Sequence, residues 1–176
     1  MRAADPRVAR FAGPIAAFVA MIAIVMGTGV VLFVRKIGLA TATIQAHYLG
    51  SEATFAAPRS LAGMLEVAVP HLLAIPLVVF VTLHLVAFAT RPRRSTFALV
   101  SGVTSACAFL GIAAGFAIRW AWPALAPLKV AAFVGLEATM AGWLALLAAA
   151  VLPGARVEAR DERVTGAAGA PRRAAR

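Results

Sequence analysis

The sequence predicts an all-α membrane protein: a four-transmembrane-helix bundle with both termini inside and a long outer first loop. Three observations carry this. Hydrophobic residues fill 62% of the 176 positions, where an ordinary soluble domain has about 45–50%. The excess is gathered into four blocks, 11–34, 69–90, 97–118 and 130–152, each at or above the roughly 18 residues that cross a bilayer. The positive charge alternates between the connections.

That alternation sets the orientation. The chain has 17 Lys and Arg against 7 Asp and Glu, a formal net charge of +10. Arg2, Arg7 and Arg10 precede the first block, Arg91, Arg93 and Arg94 lie between the second and third, and the last arginines follow Pro153. Alternate connections share one side of a membrane, and the side richer in Lys and Arg is cytoplasmic. The reading is therefore N-in and C-in. Arg35, Lys36, Arg59, Arg119 and Lys129 then fall outside. Charge gathered at helix ends suits anionic lipid headgroups and argues against a nucleic-acid partner.

The elements follow in order. Residues 1–10 form a basic N-terminal arm, 11–152 the four-helix membrane domain, and 153–176 a disordered basic tail. The first helix, about 11–34, is too long for a signal-peptide core and is retained. Gly27 and Gly29 in its outer half admit a close neighbour. In the first loop, "TATIQAHYLG" reads as a short interfacial helix ended by Gly50. Ser60 is a good N-cap, so the second helix starts early and runs over about 61–89, through Pro70 and Pro76. Each proline removes a backbone donor and tends to kink a helix. The third helix, about 97–118, carries Ser101/Ser105 and Gly111/Gly115, a small-residue face for close packing in lipid. Trp120 and Trp122 suit the interfacial belt. The fourth helix spans about 130–152. Cys107 is the only cysteine, so no internal disulfide forms and no cysteine-rich metal pattern exists.

Three sets of residues carry chemistry. His71 and His84 sit in the apolar run "VPHLLAIPLVVFVTLHLVAF". Neutral imidazole is a ligand for haem iron. Thirteen steps of helix separate the pair by about 20 Å along the axis and by roughly 140° around it. Two haems at those depths would span a bilayer; the bland alternative is His71 wet at the outer surface and His84 bonded across a helix interface. His47 and Glu66, with Tyr48 and Glu52, form an outer cluster of the ligand types that divalent metals take. Glu137 is a carboxylate inside the fourth block, costly in lipid and a polar or proton-accepting candidate by default. No nucleophile–base pair or phosphate-cradling loop is present, so catalysis by the chain alone is not expected.

Two resemblances add to this. Paired histidines on one helix resemble the cytochrome b pattern, which implies b-type haem held by His71 and His84. This chain has one fewer residue between the pair than that family, and its other transmembrane helices bring no histidine. "KIGLATATIQAHYLGSE", "APRSLAGMLEVAVPHL" and "LHL" are similar to a group of small four-helix bacterial membrane proteins with a YLG-E loop and an LEV-x-x-H helix start. Val69 stands where that group has the first histidine of its "HFH". The second resemblance implies the bacterial inner membrane and draws the eye to the outer loop and His71.

The expected function is a small integral-membrane subunit of a respiratory or photosynthetic electron-transfer complex, with haem b as its cofactor. The alternative is a non-catalytic scaffold or assembly subunit packed against a larger membrane complex, or a homo-oligomer.

Overall fold

The computed structural model describes the backbone of residues 10–168 and the side chains of residues 10–151. Five α-helices account for most of it: α1 (Ala12–Lys36), α2 (Thr41–Leu49), α3 (Leu61–Thr90), α4 (Arg94–Trp120) and α5 (Ala126–Ala168). Short 3-10 turns lie at Glu52–Thr54 and Pro123–Leu125. Four of the helices are long and apolar enough to cross a membrane. The four-helix expectation holds.

The fourth membrane helix organises the bundle. α5 packs against α1, α3 and α4, and α3 also touches α4. The main core joins Ile15 and Ile22 of α1, Val79 and Val86 of α3, and Met140, Trp143, Leu147 and Val151 of α5. In lipid there is no hydrophobic drive between helices, so fit and polar ties hold them together. One such tie is buried: Trp143 Nε1 donates to Thr104 Oγ1 at 3.1 Å, and Thr104 in turn donates to the Val100 carbonyl at 2.8 Å.

α4 and α5 approach closely at Gly135. A Cβ there would lie 2.7 Å from Cys107 Sγ, so α4 and α5 meet where the glycine leaves room. This differs from the expected small-residue face. A Cβ on Gly111 would meet nothing within 4 Å, and the same holds for Gly27 and Gly29. Ser101 bonds back to the Phe97 carbonyl of its own helix.

Helix ends follow local chemistry. Ser60 Oγ accepts from Gly63 N at 3.1 Å and caps α3. α3 is helical through Pro70 and Pro76, both exposed on the outside of the bundle. Gly50 ends α2 with φ 86°. A side chain there would be strained and would meet Ala56 O at 2.5 Å. The backbone of α5 extends to Ala168, across residues 153–168 of the expected basic tail. Residues 1–9 of the basic arm and 169–176 of the tail lie outside the described residues.

Candidate functional site

α3 places its two histidines on the outside. Its buried positions are Met64, Ala68, Val79, Thr82 and Val86, a narrow stripe at helical spacing. Pro70, His71, Leu72, Leu73, Leu77, Phe80 and His84 are exposed. Neither histidine points into the core.

Each imidazole is held by its own helix. His71 Nδ1 lies 2.6 Å from the Val67 carbonyl, and His84 Nδ1 lies 3.0 Å from the Phe80 carbonyl. A carbonyl only accepts, so in both rings Nδ1 carries the proton and donates it. Nε2 then keeps its lone pair and is the nitrogen left to an outside partner. The Phe80 ring adds to this at His84, with centroids 4.0 Å apart. Fixing a ring through Nδ1 is how ligating histidines are oriented. It is also an ordinary way to satisfy one donor in lipid.

These residues do not fit a haem held within one chain. A bis-histidine site needs a second axial ligand facing the first. Both transmembrane histidines face away from the bundle, and His47 is engaged elsewhere. Met140 is buried in the core beside Trp143 and Leu144. Met21 is exposed on α1, a helix that packs mainly on α5. No group of three or more His, Cys, Asp or Glu converges among the described residues.

The first loop is a built cap rather than a loose connection. α2 folds onto the bundle end. Ile44 is fully buried and Tyr48 nearly so, packed with Met64, Ile118 and Ala126. Gln45 Nε2 donates to the Pro123 carbonyl at 3.0 Å, tying α2 to the second connection at this end. Arg59 N donates to the Tyr48 carbonyl at 3.1 Å, and Arg119 Nε donates to the Arg59 carbonyl at 2.9 Å. Ser51 and Ala56 exchange two backbone hydrogen bonds, 2.9 and 3.0 Å, with Phe55 almost fully exposed at the tip between them.

His47 and Glu66 are at this end, but on different elements and in different settings. His47 Nδ1 donates to the Lys36 carbonyl at 3.1 Å, and its ring meets Tyr48 edge-on at 5.0 Å. Burial, then the nearby Arg59, Lys129 and Lys36 charges, hold the His47 pKa below its usual value; the Lys36 carbonyl opposes this. Burial raises the Tyr48 pKa, against the pull of Arg59. Glu66 is exposed on α3.

Lys129 is the feature that sequence reasoning passed over. It is half-buried three residues into α5. Its Nζ donates to the Gly111 carbonyl and lies 6.0 Å from the Tyr48 ring centroid. The sequence marked it only as an outer charge; its place after "WPALAP", at the very start of a membrane helix, was the available signal. Glu137, two turns deeper, is half-buried. His71 and Arg119 are engaged elsewhere: His71 bonds the Val67 carbonyl and Arg119 the Arg59 carbonyl.

The fold and this arrangement define an integral-membrane helical bundle with a folded cap at one end. A family model described as a transmembrane helical domain matches residues 38–156, about two thirds of the chain. The chain belongs to that family, Aq_1264_TM. The match takes in the cap, α3, α4 and α5 as far as residue 156, and leaves out the whole of α1. No protein of curated function and no solved structure matches the chain.

Proposed function

We propose that the protein is a small, non-catalytic subunit of a larger membrane assembly, joined to it along the outward face of α3. One observation carries this reading. His71 and His84 are both exposed on a membrane-spanning helix, each with Nδ1 satisfied and Nε2 free toward the outside. Ionisable side chains within membrane helices are costly in lipid and nearly always face protein or water. His84 lies seven residues before Arg91, about 10 Å inside that end of the helix. A neighbouring membrane helix with a hydroxyl, amide or carboxyl donor for Nε2 satisfies His84; His71, roughly 140° further round the helix, takes a separate contact.

The electron-transfer role is the narrower form of the same reading. Rings pinned through Nδ1 present Nε2 to a metal, so a partner helix bringing the second axial ligand would complete a haem site at the interface. Haem, when bound, supplies one-electron chemistry; this chain's part is to hold one ligand and exclude water with its apolar face. The arginine pattern supports placing the cap outside and both termini in the cytoplasm of a bacterial inner membrane.

The test is a reduced-minus-oxidised visible spectrum of the protein isolated in mild detergent from its own membranes. A b-type band lost in His84→Ala or His71→Ala supports the haem form. A colourless preparation that still carries a stoichiometric partner supports the scaffold form. A colourless, partner-free monomer that is as stable in lipid as its His71→Leu/His84→Leu variant contradicts both.

A further inference from the structure

The cap holds an excess of positive charge that the proposed role leaves unused. Five cationic side chains fall at this end, Arg35, Lys36, Arg59, Arg119 and Lys129, against two carboxylates, Glu52 and Glu66. A groove between the end of α2 and the start of α3 is lined by His47, Pro58, Arg59, Ser60 and Gly63. Arg59, Lys129 and Lys36 all act on His47 electrostatically. Arg59 is also the charge felt by Tyr48. Ser60 uses its oxygen to accept from Gly63, which leaves its hydroxyl proton to donate. These donors come from different elements, α1, α2, α5 and the segment before α3. The backbone bond from Arg59 N to Tyr48 O and the side-chain bond from Arg119 Nε to Arg59 O fix the segment that carries Arg59.

We propose that this groove is an anion site in which Arg59, His47 and the Ser60 hydroxyl hold a phosphate group. The guanidinium supplies charge-assisted hydrogen bonds in a planar fork suited to phosphate oxygens. His47 supplies a second donor by taking up a proton. Its Nδ1 proton is committed to Lys36 O, so the incoming proton goes to Nε2, which then donates to the anion. Without an anion, burial and then the Arg59, Lys129 and Lys36 charges oppose that protonation; the anion offsets the charges. Binding therefore tightens as pH falls. A lipid headgroup at the membrane surface and a free phosphate in solution present the same chemistry to the groove.

The test uses the full chain, delipidated in neutral detergent. It is titrated separately with short-chain phosphatidylglycerol, whose phosphodiester charge is constant between pH 6 and pH 8, and with inorganic phosphate. Binding is read by native mass spectrometry and thermal shift. Arg59→Gln is expected to weaken binding about tenfold, the scale of one lost charge-assisted hydrogen bond. His47→Gln is expected to remove the tightening between pH 8 and pH 6. Arg35→Gln removes a charge at the same end that does not line the groove, and leaves binding within about twofold. Binding of phosphatidylglycerol alone assigns the site to a lipid headgroup; binding of both probes assigns it to phosphate in general. No binding of either probe overturns the proposal, as does an equal loss in Arg35→Gln and Arg59→Gln. The outcome is independent of what covers α3.

Discussion

The Tyr48 ring rests on Gly115. A Cβ on that glycine would lie 3.0 Å from the tyrosine oxygen and 3.1 Å from the nearest ring carbon. This contact, with fully buried Ile44 and Ile118 beside it, seats α2 on the end of α4. Burying side chains of this size stabilises by about 1.5–3 kcal/mol each where the alternative is water. Deeper in lipid that gain is absent. The cap is thus held by a different force from the helices beneath it.

Replacing Gly115 tests the seat. Gly115→Ala asks Tyr48 to move by a few tenths of an ångström, whereas Gly115→Val displaces the ring. We expect Gly115→Val to cost about 1–3 kcal/mol through overpacking. The first effect is loosening of the cap: faster hydrogen exchange over Thr41–Leu49, with α4 and α5 protection unchanged. Uniform loss of protection along α4 would argue against a locally seated cap.

The α4–α5 seam makes a second test. Gly135→Ala places a Cβ 2.7 Å from Cys107 Sγ but 3.8 Å from Cys107 Cβ. Gly135→Ala alone is expected to lower thermal stability, and adding Cys107→Ala to restore most of it. Equal losses that simply add would mean the two residues do not meet.

Trp143 and Thr104 are suited to a double-mutant cycle. Thr104→Val removes the acceptor of the 3.1 Å bond and leaves the indole N–H unpaired. Interhelical bonds of this kind are worth about 0.6–2 kcal/mol. Thr104→Val should cost that much in the native chain and clearly less in Trp143→Phe, measured by unfolding in mixed micelles.

His47 gives the bundle a pH dependence. Its folded pKa is lowered, chiefly by burial and then by Arg59, while the unfolded imidazole keeps a value of about 6.5. Protons therefore bind the unfolded chain first as pH falls. The His47 contribution is complete above the unfolded value and is lost progressively from there down to the folded one. In phosphate-free buffer, thermal stability should fall as pH drops below about 6.5, and His47→Gln should flatten that part of the curve.

Much of the fold was legible in the sequence because hydropathy dominates it. Four blocks of apolar residues admit no other arrangement that satisfies the backbone in lipid, and Ser60 and Gly50 mark their helix ends through local chemistry. The facing of α3 was not legible. Its residues are apolar on every side, so periodicity cannot tell the side that meets α5 from the side that meets lipid, and His71 and His84 fell to the outside. Gly115 was read as part of a helix-packing face; only the fold shows that Tyr48, far away in sequence, fills its space. Lys129 looked like one more surface charge because its burial depends on α2 folding over it.

The central claim is that another protein chain covers the outward face of α3. The most direct measurement places a photoreactive residue at Leu73 or Leu77, both well exposed on that helix, and illuminates cells expressing the full chain at its native level. The account predicts one discrete protein adduct, identified by mass spectrometry as a single partner or a second copy. It should diminish in His84→Leu and be absent when the probe is moved to exposed Ile24 of α1. Adducts to lipid alone, unchanged by His84→Leu, would contradict it.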